Sequence, residues 1–342
     1  MKVFGLALAL AIHASALAQG TDIAAVARLQ GEARTKALVD GARREGEVMV
    51  YHSTQTEDLK PVFDAFTAKY GVKVRDWRSS SENVVQRVIS ETRAGKREVD
   101  FIENNSPEME ALRREKMLLR MESPHFADLR PGTLQAHREY ATSTMDVFVQ
   151  AYNTEKVKKE ELPRTFADLA DPRWKGRLGI EAEDHAWYGT LLNDIGEARG
   201  NKLWADVVAT NGISVRKGHT LLAQLVVSGE IPLALTVYNY KAEQLKEKGA
   251  PIDWMSIGTP IARANGVGMA RAAPNPHSAV LFYDFEISEE GQKILAGRDF
   301  VPTSTLVASA FGKTGLRFVD SGKMLDDGDK WSKLYAELFG GR

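Results

Sequence analysis

The sequence predicts an α/β protein of two lobes, each a mixed sheet with flanking helices, hinged by two crossover strands. Three observations lead to this prediction. Apolar runs alternate with amphipathic helix patterns between residues 48 and 112, and a second such series follows between residues 177 and 256. Two long strand-like runs, residues 142–153 and 261–270, follow one series each and would carry the chain between the lobes. Strands that alternate with helices form parallel pairs with right-handed crossovers.

The first 18 residues have the pattern of a secretory signal peptide. Lys2 supplies the positive charge, residues 3–12 are nearly all apolar, and Ala16-Leu17-Ala18 is a small-x-small cleavage site. The apolar run is too short to cross a bilayer as a helix. We therefore predict residues 1–18 to be a signal peptide cleaved after Ala18, and a periplasmic mature protein.

The first lobe follows a helical lead-in at residues 22–44. Its strands are predicted at residues 48–51, 72–77 and 99–103, the first of them a continuous apolar run typical of a strand covered on both faces. Thr56 can cap the first helix, and Gly71 ends it. Ser79 and Glu82 have the spacing of a capping box, and Ser106-Pro107 opens the third helix.

The second lobe repeats this alternation. Its strands are predicted at residues 177–181, 213–216, 231–237 and 252–256, and its helices at residues 187–199, 202–210, 221–228 and 240–248. Three more helices follow the return strand, at residues 276–287, 289–296 and 325–339. We predict that residues 19–144 and 266–342 form the first lobe and residues 145–265 the second. The C-terminal helices could pack on either lobe.

Composition excludes several classes of protein and partner. No Cys occurs among the 342 residues, which excludes a disulfide framework, a thiol nucleophile and a Cys metal site. Lys and Arg number 45, Asp and Glu number 46, and both signs are interspersed, which argues against nucleic acid and anionic membranes as partners. No apolar run beyond the signal peptide approaches 18 residues, so no membrane insertion is expected. We expect a monomer.

Polar clusters follow all three strands of the first lobe. The strand ends read "YHSTQT", "RSSSEN" and "ENNSP". In open α/β sheets a ligand lies at the carboxyl ends of the strands, near helix N-termini. Any one cluster could instead be a helix cap, and His52 could be a satisfied loop histidine. The candidate ligand residues are His52, Ser53, Thr54, Gln55, Ser80, Ser81, Asn104 and Asn105.

The second lobe adds aromatic and amide side chains at two strand ends. Trp187 and Tyr188 follow one strand and would face the cleft if their helix starts near Asp184. Tyr238, Asn239 and Tyr240 follow another. Aromatic rings with amides suit the binding of a small organic ligand, although aromatic residues at helix starts also serve as core side chains.

The sequence shows no catalytic signature. It contains no HExxH, GxSxG or GxxxxGK[ST] motif, and its seven His residues form no i,i+4 pair. Asp100, Glu103, Asp146 and Glu181 could lie near the cleft, and a carboxylate pair there would be the basis of a secreted two-lobe enzyme. We predict no enzyme activity and no cofactor, and keep that enzyme as an alternative.

Three segments are similar to a known family. "TFADLADPRWKGRLGI" (165–180), "GISVRKGHTLLAQLVVSGEIPLAL" (212–235) and "APNPHSAVLFYDFEISEEGQKIL" (273–295) resemble periplasmic solute-binding proteins of ABC importers, in particular the ferric-iron-binding branch. The resemblance implies a two-lobe periplasmic binding protein of type II, a flytrap that closes on its ligand. It also implies delivery of that ligand to an inner-membrane ABC permease, although a sensory receptor is an alternative recipient.

The metal site of that branch matches this sequence at one position of four. The branch's histidine falls on Gln55, its glutamate on Asn105, and its tyrosine pair on Tyr240 and Lys241. Shifted registers would give the ferric ligands Tyr240, Tyr238, Glu103 and His52. Lys241 beside the surviving tyrosine opposes a cation and favours an anion. We therefore expect a small polar or anionic ligand and no metal, with ferric iron as the alternative.

Overall fold

The computed structural model describes residues 22–31, 33–309, 311 and 315–340. The predicted signal peptide at residues 1–18 lies outside the described residues. Within those ranges, no helix has both the length and the apolar character that a membrane crossing requires.

The first lobe contains the three parallel strands that the alternating pattern predicted. β1 (Glu47–His52) lies between β2 (Lys73–Arg78) and β3 (Phe101–Asn105) and runs parallel to both. Helices precede, separate and follow these strands; they are α1 (Ile23–Val26), α2 (Ala33–Glu45), α3 (Thr56–Tyr70), α4 (Ser81–Arg93) and α5 (Ser106–Arg114).

Two long strands join the lobes, close to the predicted residues. β4 (Ala141–Asn153) leaves the first lobe, and β9 (Ile261–Met269) returns to it. They pair antiparallel to each other along much of their length, and β9 also pairs antiparallel to β3. All 13 residues of β4 are buried, the polar ones included.

The second lobe extends the same sheet. β5 (Leu178–Glu181) lies between β6 (Ser214–Arg216) and β7 (Leu233–Tyr238), parallel to both, and β7 and β8 (Ile252–Met255) pair with β4. Because β4 and β9 pair, the sheet runs unbroken in the order β2-β1-β3-β9-β4-β7-β5-β6. The helices are α6 (His185–Ile195), α7 (Glu197–Asn211), α8 (His219–Ser228) and α9 (Asn239–Glu247).

The C-terminal segment contacts both lobes. It contains α10 (Pro276–Ile287), α11 (Glu289–Ala296), α12 (Ser321–Asp326) and α13 (Gly328–Phe339), with short strands β10 (Val301–Pro302) and β11 (Arg317–Phe318) beside β4 and β9. α10 packs on α2 and α11 on α3, whereas α13 packs on α6 and α7. The lobe boundaries after residues 144 and 265 stay a prediction, since β4 and β9 run through them.

The helix caps differ from the predicted ones by one residue in three places. Ser80, not Ser79, caps α4 by accepting a hydrogen bond from the Asn83 backbone N–H at 3.4 Å. Gln55 and Asn105 occupy the cap positions of α3 and α5, where Thr56 and Ser106 were expected. Gly71 ends α3 as predicted, because its φ of 74° is a left-handed conformation that glycine adopts without strain.

Candidate ligand-binding cleft

A cavity of about 580 Å³ lies between the lobes, at the ends of the strands. Residues at the N-termini of six helices line it: three from the first lobe (α3, α4 and α5) and three from the second (α6, α8 and α9). Each helix N-terminus presents unpaired N–H groups and a partial positive charge. The fold therefore directs six such ends toward one volume, which favours a ligand with negative charge.

The first lobe lines this cavity with six of the eight residues that the strand-end clusters predicted. They are Ser53, Thr54, Gln55, Ser80, Ser81 and Asn105. Some of their polar atoms are held by neighbours. The Asn105 amide donates to the Ser81 hydroxyl at 2.6 Å, and the Thr54 hydroxyl donates to Glu103 at 2.8 Å. These contacts fix the side chains in place before any ligand arrives.

The structure does not bring His52 or Asn104 to the cavity. His52 is fully buried; its ring nitrogens contact the Thr54 carbonyl at 2.9 Å and Asp76 at 3.1 Å. The Asn104 amide donates to the Ser81 carbonyl at 3.0 Å. Both side chains therefore support the loops that carry the predicted ligand residues, as does Glu103, which accepts from Thr54.

The second lobe lines the cavity with Tyr238 and Tyr240, as expected. Their rings are nearly parallel, 12° apart with centroids at 6.0 Å. The Tyr238 ring also packs on His219 at 3.7 Å, and its hydroxyl accepts from the Arg263 guanidinium. The Tyr240 ring packs on Phe300 at 4.3 Å. Burial raises the pKa of Tyr240 well above its usual value, with a further contribution from the charge of Asp146.

Three aromatic or amide residues predicted at the second lobe lie elsewhere. Trp187 is buried against Trp204 and borders a separate cavity. Tyr188 is fully buried and donates from its hydroxyl to Asn201 at 2.5 Å. The Asn239 amide accepts from the Val147 N–H at 3.3 Å and donates to the Asp299 carbonyl at 3.4 Å. None of the three lines the cavity. Trp187 and Tyr188 pack into the core of the second lobe, and Asn239, at the start of α9, is held by backbone groups.

The cavity lining also contains charged and polar residues beyond the predicted ligand residues. The basic side chains are Arg78, Lys217, Lys241 and Arg263, and two histidines, His185 and His219, lie beside them. The acidic ones are Glu82, Glu108, Asp146, Glu181, Glu183 and Asp184. Asn265 also lines the cavity. A signal was available for Arg263 and Asn265, since they are two residues apart on a strand and so share one face.

Several of these polar atoms are buried without a hydrogen-bond partner among the described residues. They are Asp146 Oδ1, Glu108 Oε2, Asp184 Oδ2, Arg263 Nε and Asn265 Oδ1. Burial raises the pKa of Asp146 to about 6 and that of Glu108 to about 7, although the Arg263 charge opposes both shifts. Buried polar atoms in proteins nearly always have partners. This group, the open polar atoms, therefore marks where a ligand with both donors and acceptors would fit.

Comparison with known proteins gives consistent matches over most of the chain. Residues 108–314 match a family model described as bacterial extracellular solute-binding protein. Iron uptake protein A1 of Synechocystis is 26% identical over 316 residues, which cover 83% of this chain and 84% of that protein. The major ferric iron-binding protein of Neisseria meningitidis serogroup B is 25% identical over 292 residues, or 82% and 85% of the two chains.

Solved structures show the same two-lobe fold. AfuA of Actinobacillus pleuropneumoniae with fructose-6-phosphate bound superposes with a TM-score of 0.75 at 20% identity, covering 87% of this chain and 100% of that one. Iron-bound HitA of Pseudomonas aeruginosa gives a TM-score of 0.73 at 19% identity, covering 85% and 99%. At these identities the likeness shows the fold alone, and both an organic phosphate and iron occur among proteins that share it.

Proposed function

The chain belongs to the bacterial extracellular solute-binding proteins, and on that premise we propose that it binds a small organic anion carrying hydroxyl groups. The observation that carries this proposal is the set of open polar atoms, which brings to one cavity a guanidinium N–H and carboxylate oxygens that lack partners in the described part of the chain. The solute would lie in the cleft between the lobes and pass to the inner-membrane permease of an ABC importer.

The anionic group is supported by basic side chains in the cleft lining. Arg263, Arg78 and Lys217 line the cleft, together with the six helix N-termini. The hydroxyl groups are supported by Asp146 and Glu108, whose buried oxygens need donors. A solute lacking those groups would leave charged atoms unpaired, at a cost of roughly 1–3 kcal/mol for each. An organic phosphate of the kind seen in AfuA has both features.

Both lobes contribute lining residues, and β4 and β9 pass between the lobes as long strands. A solute that contacts both walls stabilises the arrangement in which the walls are close. We propose that solute binding shifts the population toward this closed arrangement.

We also propose that no chemical step follows binding. The enzyme alternative depends on a pair among four carboxylates. Asp146 and Glu181 line the cleft, whereas Asp100 accepts a hydrogen bond from the Met49 N–H at 2.8 Å and Glu103 accepts one from Thr54. Mass spectrometry of the recovered solute tests this, since any product would support the enzyme.

Isothermal titration calorimetry with a panel of solutes tests the ligand class. The panel comprises hexose phosphates, citrate, inorganic phosphate and the neutral hexoses. We expect at least one organic anion to bind and its neutral counterpart to bind far more weakly. Arg263→Gln should lower the affinity for the anion by about 10- to 100-fold, which is the range for loss of a charge-assisted hydrogen bond. Lys202→Gln is the matched control, because Lys202 is an exposed cation on α7 paired with Asp206. Equal binding of neutral and anionic hexoses would overturn the proposal.

Ferric ion is the second candidate, favoured by the phenol oxygens of Tyr238 and Tyr240 beside Asp146. Oxygen donors of this kind suit a hard trivalent cation. Against it, two of the four predicted ligands, His52 and Glu103, lie outside the cleft lining, and the Tyr238 hydroxyl accepts from Arg263. Addition of ferric citrate tests whether the cleft binds ferric ion. A visible phenolate-to-iron absorption band that is lost in Tyr240→Phe would support iron.

We also propose that the mature protein is a periplasmic monomer that starts after Ala18. Relatives carry names such as Fe(3+)-binding periplasmic protein in Serratia marcescens. The intact mass of the protein recovered from a periplasmic extract tests the cleavage site, and a mass that includes residues 1–18 would contradict it.

A further inference from the structure

Three side chains on the second-lobe wall of the cleft form a group, of which the proposed function uses only the open oxygen of Asp184. Glu181 ends β5, Asp184 precedes α6, and His219 begins α8. One ligand atom from each lies within 4.8 Å of the other two, and all three residues line the cavity. Asp184 is 2% exposed, and its Oδ2 atom has no hydrogen-bond partner among the described residues.

The histidine is held in the orientation of a metal ligand. His219 Nδ1 lies 3.3 Å from the Thr236 carbonyl, which can only accept, so Nδ1 carries the proton. The other nitrogen, Nε2, lies 3.3 Å from Asp184 Oδ1. A ring with that proton alone is neutral and directs its Nε2 lone pair at a carboxylate, so the contact becomes favourable when a second proton or a bound cation lies between the two atoms. Metal-binding histidines have this arrangement, with the second N–H donated to a backbone carbonyl.

The carboxylates are held in a similar way. Glu181 accepts from the Gly218 N–H at 2.8 Å and from the Glu183 N–H at 2.5 Å, and these bonds fix its position. With Asp184 it supplies two negative charges, which balance a divalent cation when His219 is neutral. One imidazole nitrogen and two carboxylate oxygens form a ligand set that zinc accepts, with a fourth position open to solvent or a solute.

We infer that Glu181, Asp184 and His219 bind one divalent transition-metal cation on the wall of the cleft. The cation would add positive charge beside the stacked tyrosines and offer its open position to an anionic oxygen. The site does not depend on which solute the cleft takes. It is also separate from the ferric ligand set, since it uses none of Tyr240, Tyr238, Glu103 and His52.

Zinc titration of the full chain after removal of metals with a chelator tests this site. We expect one saturable Zn²⁺ per chain. His219→Gln and Asp184→Asn should each lower the zinc affinity by more than about 10-fold, since loss of even a residue that only hydrogen-bonds to a metal ligand has at least that effect. His125→Gln is the matched control: His125 also faces an aspartate, Asp128 at 4.0 Å, but outside the cleft, and zinc affinity should be unchanged.

Two results would overturn the inference. One is the absence of saturable zinc binding, which would mean that a proton holds His219 and Asp184 together. The other is unchanged zinc affinity in both cleft variants. Circular dichroism of each variant confirms that it is folded. Titrating the organic anions with chelator and again with Zn²⁺ separates this inference from the proposed function, because either binding event can fail while the other is retained.

Discussion

Asp58 joins the two lobes through a buried ionic network, and its replacement tests the closure geometry. Asp58 lies on α3 of the first lobe and is 1% exposed. It accepts from Lys241 at 2.6 Å and from Gln244 at 3.1 Å, both on α9 of the second lobe, and from Arg298 at 2.8 Å. Burial alone would raise the pKa of Asp58, but its hydrogen bond to Lys241 and the charges around it hold that pKa below its usual value.

Asp58→Asn preserves the shape of the side chain and removes its charge. Breaking a buried ion pair costs about 3–5 kcal/mol. Lys241 lies at the cleft and regains water when the lobes separate, so part of this cost is recovered in the open form. We therefore expect the substitution to destabilise the closed arrangement by about 2–3 kcal/mol relative to the open one. This lowers the equilibrium constant for closure by roughly 30- to 150-fold.

Small-angle X-ray scattering of the solute-free protein measures the effect directly. Asp58→Asn should increase the radius of gyration relative to the unsubstituted protein and weaken solute binding. Asp64→Asn on the same helix is the control, because Asp64 forms an exposed pair with Lys60, and such pairs contribute at most about 1 kcal/mol. An Asp58→Asn variant with unchanged dimensions and unchanged affinity would refute the view that this network holds the lobes together.

Three further predictions follow from single buried positions. Burial raises the pKa of Glu286 to about 8, so the folded protein binds its proton more tightly than the unfolded chain does, and the free energy of unfolding should fall between about pH 4.5 and pH 8. Urea unfolding of Glu286→Gln should lack this contribution, and an unchanged pH slope would contradict it. A Cβ at Gly189 would lie 2.8 Å from the Trp331 ring, so Gly189→Ala should lower the free energy of unfolding by about 1–3 kcal/mol, and wild-type stability would argue against that packing. Tyr240→Phe retains the ring contacts and should weaken solute binding with little change in the melting temperature, whereas equal affinity would remove Tyr240 from the site.

The fold could be predicted from the sequence because its strands and helices have strong local patterns. Residues 142–153 and 261–270 were predicted as crossover strands and form β4 and β9 within one residue. Their pairing with each other could not be predicted, since it joins residues more than a hundred positions apart. The sequence therefore indicated two sheets, whereas that pairing makes one continuous sheet.

The first-lobe wall of the cleft was easier to predict than the second. Ser53, Thr54, Gln55 and their counterparts directly follow strands, and strand ends meet at one edge of the sheet. Trp187 lies on α6 and packs on Phe166 and Trp204. Its neighbour Tyr188 packs on α13, near the other end of the chain. Which faces of α6 are buried therefore depends on segments that its local sequence does not contain. His52 was assigned to the ligand because its partner Asp76, on the neighbouring strand, gives no local signal.

Native mass spectrometry of the protein as purified from a periplasmic extract tests the central claim most directly. Comparison with the same protein after denaturation and refolding isolates any solute that it carried. We expect the added mass of one small organic anion, which is lost on refolding and is found on a smaller fraction of the Arg263→Gln protein. A bound ferric ion with no organic anion, or an organic solute without negative charge, would contradict it.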